Sequence, residues 1–252
     1  MKRIGMMGCG VVASYGHLPA LVETPGLELA ALYDPNPAPL AEVGARYPWA
    51  KQFTDSEAFF EAGMDAVVVA SPAPAHYENV RQAARHGKHV LCEKPLAMTE
   101  EDAWEMIAMM EKAGLMLFTG FCYRFSPVSL RIKELVDQGA IGHVRSLRLI
   151  YLWDLHGRYE WTPDGQRIES PRRVGRMLEG GPMVDCGVHQ VDLSRWWLNS
   201  EVVRQQGVGA WVEEYDAPDH MYLHLDHASG AHTMVEMSFT YCHTAREPIS
   251  HF

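Results

Sequence analysis

Through the first half of the chain, short apolar runs alternate with stretches whose apolar positions recur at helical spacing. This predicts strands at residues 3–7, 27–33, 66–70, 89–92 and 116–119, joined by crossover helices into a parallel sheet. Asp65-Ala-Val-Val-Val-Ala70 is the clearest of them: β-branched, too short for a helix, and apolar on both faces. Helix starts are also readable. Thr54-Asp-Ser-Glu57 predicts a capping box with Thr54 at the cap. Thr99 is placed to cap a long helix running toward Glu111, and Ser126-Pro127 supplies a cap followed by proline at the first helical position. Beyond about residue 140 the pattern changes. A strand is expected at 144–153, a polar loop at 154–180, a helix at 183–198, and strands near 202–212, 219–227 and 231–240. Met221-Tyr-Leu-His-Leu-Asp226 alternates strictly, as a strand with one buried face does, and His227-Ala-Ser-Gly230 is the turn to the next strand. The chain therefore reads as α/β over residues 1–121, followed by an α+β domain over 122–252 with a mainly antiparallel sheet.

Composition narrows the partners. A formal charge of −10 argues against nucleic acid and against an anionic membrane surface, both of which demand a basic face. No apolar run approaches the ~20 residues that span a bilayer. The opening MKRIGMMGCGVVAS has the basic start and apolar stretch of a targeting peptide, but glycines at 5, 8 and 10 interrupt it, and a first strand into a glycine turn is expected instead. Five cysteines are scattered without a C-x-x-C pair, which suits buried thiols in a reducing, cytoplasmic compartment.

The glycine turn carries chemistry. Gly8-Cys-Gly10-Val11-Val12-Ala13 matches G-x-G-x-x-G/A directly after a strand and before a helix. Its first glycine permits the tight turn, its second lets a pyrophosphate approach the backbone, and the small Ala13 lets helix and strand pack closely. The helix start then offers amides and positive dipole to phosphates. Asp34 closes the second strand, where a carboxylate accepts ribose hydroxyls and repels a 2′-phosphate, and Pro35-Asn36-Pro37 offers no arginine. A doubly wound Rossmann domain binding NAD in preference to NADP is expected.

Further motifs follow in order: Ser71-Pro72 with His76, Glu93-Lys94-Pro95, Phe121-Cys-Tyr-Arg124-Phe-Ser-Pro127, and Gly180-Gly181-Pro-Met-Val-Asp185-Cys-Gly-Val-His189. Together with the glycine turn they resemble the Gfo/Idh/MocA family, which includes glucose–fructose oxidoreductase and myo-inositol dehydrogenase, and the resemblance covers nearly the whole chain. It implies a two-domain NAD(P)-dependent dehydrogenase acting on a secondary alcohol of a sugar, inositol or related polyol. It also implies that Lys94, Asp185 and His189 form the catalytic group with His189 as proton acceptor. By the same resemblance Ser71, Pro72, His76, Glu93 and Lys94 join Gly8, Gly10, Val11, Val12 and Asp34 around the cofactor, and Arg124 lies with Lys94, Asp185 and His189 on the substrate.

The residue types suit that chemistry. Oxidising an alcohol by hydride transfer needs a base for the hydroxyl proton, and histidine titrates in the useful range. Asp185 and His189 are four apart, so one helix face would hold both, and the carboxylate could orient the imidazole. Lys94 stands near the carboxyl end of a strand, where open α/β sheets bind ligands, and its ammonium could favour an alkoxide. Asp185, His189 and Asp192 could be drawn as a metal site, but three ligands from one helix rarely converge, and no metal is expected.

Other polar clusters read as structural. His220, His224, His227 and His232 are expected on a solvated sheet surface, Cys92 as a buried strand thiol, and Trp104 with Met106, Met109 and Met110 as helix packing. Arg167, Arg172, Arg173 and Arg176 are expected in a solvated loop, with recognition of an acidic sugar as the alternative. The chain departs from the family's pattern at its end: relatives continue with further strands past the one ending near Tyr241, and here only Cys242 to Phe252 follow. A shortened sheet leaves an exposed edge, so a homo-oligomer through the C-terminal sheet is expected. The alternatives are a non-catalytic dinucleotide- or sugar-binding regulator of the same fold, and an enzyme that cycles its NAD internally.

Overall fold

The computed structural model describes residues 1–152, 158–212 and 215–239, apart from the side chains of 171–173. The chain divides into two compact units, Met1–Gly120 and Phe121–Phe252.

In the first unit six parallel strands form one sheet. They are β1 (Lys2–Met7), β2 (Leu27–Tyr33), β3 (Lys51–Phe53), β4 (Ala66–Val69), β5 (His89–Cys92) and β6 (Leu117–Thr119). The spatial order is β3-β2-β1-β4-β5-β6, so the direction of winding reverses at β1 and β4. Helices α1 (Leu18–Glu23), α2 (Pro37–Arg46), α3 (Ser56–Phe60), α4 (His76–Arg85) and α5 (Glu100–Lys112) connect them. Two apolar clusters, one on each face, hold the layers. Adjacent Met6 and Met7 are both fully buried, Met6 among Leu18, Leu29 and Leu40 and Met7 among Phe59, Val80 and Met106. Each such side chain contributes roughly 1.5–3 kcal/mol. This is why the second half of β1, residues 4–7, is apolar without alternation: it is covered on both sides.

Three local expectations need correction. β3 was absent from the pattern because Lys51-Gln52-Phe53 is short and mostly polar, as an edge strand can be. The cap of α3 is Asp55, whose carboxylate accepts the Ala58 amide at 2.8 Å, one residue beyond the expected Thr54. Trp104 is 62% exposed, its indole N–H donating to Glu100, while Met106 and Met110 do the packing. Thr99 and Ser126 cap as expected, accepting from Asp102 and Ser129.

The second unit begins with a one-turn 3₁₀ segment (Cys122–Phe125) and α6 (Pro127–Asp137), then β7 (Ser146–Leu152). The expected loop at 154–180 in fact holds a small antiparallel hairpin, β8 (Tyr159–Trp161) with β9 (Arg167–Glu169), and then α7 (Pro171–Leu178). Strands of three residues are too short to show a period, and Arg172-Arg173 hid the helix among charges. A π turn (Met183–Gly187) leads into α8 (Val188–Leu198), followed by β10 (Val202–Ala210), β11 (His220–His227) and β12 (His232–Ser238). The sheet order is β10-β11-β12-β7, antiparallel except between β12 and β7, which run parallel. Leu149, Leu223, Leu225, Val235 and Met237 pack with Met183, Cys186 and Val191, which seats the π turn and α8 on one sheet face. The expected strand ends at 153 and 240, part of the 154–180 segment and the tail from residue 241 lie outside the described residues.

The strand histidines differ from expectation. His227 is buried, its ring nitrogens within bonding distance of the Ser200 carbonyl (3.2 Å) and the Thr233 hydroxyl (2.9 Å). His220 is also buried, beside Glu236. His224 and His232 are half-buried and bonded to each other, with His232 also on Asp226. Polar side chains that find partners across a ladder need not face water.

Candidate active site

The glycine turn leaves β1 at the sheet's reversal point. Gly8 has φ +94°, and a β-carbon there would stand 2.7 Å from the Ser71 amide nitrogen and 2.8 Å from the Ala70 carbonyl. Both the left-handed backbone and the close approach to the end of β4 therefore demand glycine. Gly8 donates its amide to the Tyr33 carbonyl at 2.8 Å, tying the turn to β2. Gly10 differs: a β-carbon there would meet nothing within 4 Å, so its backbone borders open space. Helical bonding begins with Ser14 donating to Gly10, through a π turn (Ala13–His17) that continues into α1. Val11 is exposed and Val12 half-buried at this helix start.

Asp34 follows β2 at the same edge. One carboxylate oxygen accepts the Cys9 amide at 2.9 Å and the other accepts the Asn36 amide at 2.8 Å, which fixes its orientation beside the turn. Burial, and next the Asp34 charge, push the Cys9 thiol up to about 12, so it is no nucleophile at neutral pH. An open backbone at a helix start, next to a carboxylate oriented by two amides, fits a dinucleotide: helix amides for the pyrophosphate and Asp34 for ribose hydroxyls.

Two further loops leave β4 and β5 at that edge. His76 is buried and bridges them, Nε2 lying 2.9 Å from the Ser71 carbonyl and Nδ1 2.8 Å from the Pro95 carbonyl. Asn79 donates to the Ser71 hydroxyl at 2.8 Å. Glu93 lies 2.7 Å from His17 Nε2 and accepts the Lys94 amide at 3.2 Å. Burial works against the Glu93 charge, yet the His17 bond and charge and the Lys94 amide hold it below the usual carboxylate range. The first unit thus gathers Gly8, Gly10, Asp34, Ser71, Pro72, His76, Glu93 and Lys94 at the carboxyl ends of β1, β2, β4 and β5.

In the second unit His189 lies in the first turn of α8 and is buried. Its ring stacks on Tyr123 with centroids 4.1 Å apart and planes 9° from parallel, and meets Phe121 edge-on at 6.1 Å. The aromatic residues of the Phe121–Pro127 motif therefore set the imidazole plane. Asp185 stands in the π turn and pairs with Arg176 of α7 at 3.0 Å, with both side chains mostly buried. This ion pair ties α7 to the π turn, whose wider spacing departs from the regular helix assumed from sequence. It also moves Arg176 out of the solvated loop assigned to it. Of its companions, Arg167 lies over the Tyr159 ring at 3.9 Å, and the side chains of Arg172 and Arg173 lie outside the described residues.

Gly180, before the turn, has φ +116° and would drive a β-carbon into Val184 at 2.6 Å, so both backbone and space require glycine there. Tyr151 of β7 joins the group: burial first, then Cys186, Tyr123 and Asp185, raise its phenol above the usual range. Arg124 forks the buried Asp192 carboxylate and lies over Trp196, pinning the 3₁₀ segment to α8. That pairing also takes Asp192 from the metal site considered above, and among the described residues no His/Cys/Asp/Glu group is arranged to hold a metal ion. Tyr123, Tyr151 and His17 were not singled out by the sequence. Only Tyr123 lay within a quoted motif.

Residues 2–121 match an oxidoreductase family with an NAD-binding Rossmann fold, GFO/IDH/MocA, and residues 129–249 match a C-terminal domain of the same family. Among curated proteins, the chain is 27% identical to an NAD(+)-dependent scyllo-inositol 2-dehydrogenase of Bacillus subtilis, covering 98% of this chain and 70% of that one. It is 28% identical to a D-glucoside 3-dehydrogenase of Escherichia coli, covering 94% and 70%. Among solved structures, an aldose-aldose oxidoreductase of Caulobacter crescentus in complex with glycerol superposes with TM-score 0.82 at 26% identity, covering 95% of this chain and 71% of that one. The chain spans between 51% and 70% of the length of the most similar curated relatives.

Proposed function

Because the chain belongs to the GFO/IDH/MocA family of oxidoreductases with an NAD-binding Rossmann fold, we propose that it is an NAD-dependent dehydrogenase acting on a secondary alcohol of a sugar, inositol or related polyol. The observation that carries this reading is family membership across both units, with Lys94, Asp185 and His189 all present in their motifs. Bound NAD supplies the hydride acceptor. The Gly8–Ala13 turn and Asp34 would hold it, and Ser71, Pro72, His76 and Glu93 would stand on the nicotinamide side.

His189 accepts the hydroxyl proton, its ring plane held by Tyr123 so that a nitrogen keeps one direction. The Lys94 ammonium stabilises negative charge on the alcohol oxygen. Asp185, its charge balanced by Arg176, accepts from a neighbouring substrate hydroxyl. These roles accord with relatives named as inositol and glucoside dehydrogenases. A regulator of the same fold would have no use for a base and a cation in these motifs.

No helix among the described residues is long and apolar enough to cross a membrane, and none of the four described cysteines forms a disulfide. A cytoplasmic location goes with this reading. A second copy is proposed to dock on the β10-β11-β12-β7 sheet, where the row Val208-Tyr222-Glu236-Ile150 ends at both sides in exposed apolar residues. Sedimentation equilibrium should then give a dimer or larger, and Val208→Glu should shift it toward monomer; a monomeric wild type contradicts this.

The functional reading is tested by initial rates with a panel of sugars, inositols and sugar acids, using NAD and NADP in turn. NAD is expected to be preferred, and Asp34→Asn to reduce that preference about 10-fold by removing the charge that bonds ribose and repels a 2′-phosphate. Equal use of both dinucleotides by wild type, or an unchanged preference in Asp34→Asn, would contradict the assignment of Asp34.

A further inference from the structure

Glu93 anchors the backbone of Lys94, and Glu93 is itself anchored by His17. His17 closes the π turn that follows the glycine loop, and the two side chains are only 19% and 15% exposed. Gly120, at the exit of β6, leaves the room this carboxylate occupies: a β-carbon there would stand 3.0 Å from Oε1. A continuous set of contacts therefore runs from the helix behind the dinucleotide turn, through the imidazole and the carboxylate, to the Lys94 amide. On the other side of the same loop His76 contacts the Pro95 carbonyl.

We infer that His17 is a positioning residue for the reaction, holding Glu93 charged and in place so that Lys94 is presented in register with the dinucleotide turn. The inference rests on the dehydrogenase reading above. Its physical basis is that a carboxylate this enclosed loses its ionised form, and its grip on the Lys94 amide, unless a donor faces it. The titratable groups facing Glu93 are His17 from the π turn, Lys94 on its own loop and the buried Cys92 thiol of β5, which burial raises. The sign follows. With His17 present, Glu93 is depressed, so it stays ionised through neutral pH and gains a proton only as pH falls below the ordinary carboxylate range. With His17 removed, burial is opposed only by Lys94, and protonation moves to higher pH.

The experiment compares wild type, His17→Ala and His17→Gln for kcat, KM for NAD, and the pH profile of kcat with one polyol substrate. His17→Ala should lower kcat about 10–100-fold, the scale of a small misplacement of a reacting group, with KM for NAD changed less than about 3-fold. Its acid limb should move to higher pH, and His17→Gln, whose amide can still donate to Glu93, should recover most of kcat. Unchanged kcat and acid limb in His17→Ala would overturn the inference. So would equal loss in both variants with a lowered melting temperature and an unmoved acid limb, the signature of a purely structural pin. A wild type without turnover on any polyol would overturn the dehydrogenase reading first, and this inference with it.

Discussion

Cys9 sits inside the dinucleotide turn and Cys92 inside β5, each beside a carboxylate-bearing residue, and both thiols are raised by burial and by that negative charge. Cys122 is exposed at the start of the second unit. Alkylation of the native protein at neutral pH, followed by peptide mapping, should label Cys122 well ahead of Cys9 and Cys92. Early labelling of Cys9 would mean that the turn opens far more readily than its packing implies. The candidate dinucleotide turn of the first unit was legible at this scale because its residues are fixed by local backbone geometry: Gly8 by its positive φ, Asp34 by closing a strand. His17 and Tyr151 were not legible. Nothing in the residues flanking either one distinguishes it from ordinary helix or strand positions, and each acquires its role only from a partner distant in sequence: His17 from Glu93, Tyr151 from Cys186 and Asp185.

Elements were readable where they are long and periodic, and misread where a turn departs from the regular helix. Both functional helices begin with a π turn, Ala13–His17 before α1 and Met183–Gly187 before α8. A five-residue π turn leaves no apolar period of its own, so regular helix spacing was the natural assumption, and the Asp185–Arg176 ion pair could not be foreseen from it. The α3 cap is a smaller case. Thr54 and Asp55 are both good capping residues, and sequence favoured the one with a glutamate three residues on. The structure selects Asp55. Asp55→Ala should therefore destabilise the protein by about 1 kcal/mol, and Thr54→Ala by much less. Thermal melts of the two variants check this, since about 1 kcal/mol moves Tm by roughly 2–4 °C at this size; the reverse order would restore the capping box.

Taken whole, the chain is a parallel doubly wound sheet followed by a mixed sheet backed by α8, each with its own core. The division into α/β and α+β halves was readable because a strand buried on both faces and a strand buried on one face leave different patterns, seen in β4 and β11. What the pattern could not carry was the β12–β7 pairing: it joins strands remote in sequence and in parallel, whereas neighbouring strands with short turns suggested antiparallel order alone.

The central claim is that Lys94 and His189 serve one NAD-dependent oxidation. Absorbance of reduced nicotinamide, followed with purified wild type, Lys94→Ala and His189→Ala on the polyol panel, tests it most directly. The account predicts turnover by wild type on at least one substrate, a fall of at least about 100-fold in kcat in each variant, and NAD binding retained by calorimetry. Variants as active as wild type, or a wild type that binds NAD yet oxidises nothing, would contradict it.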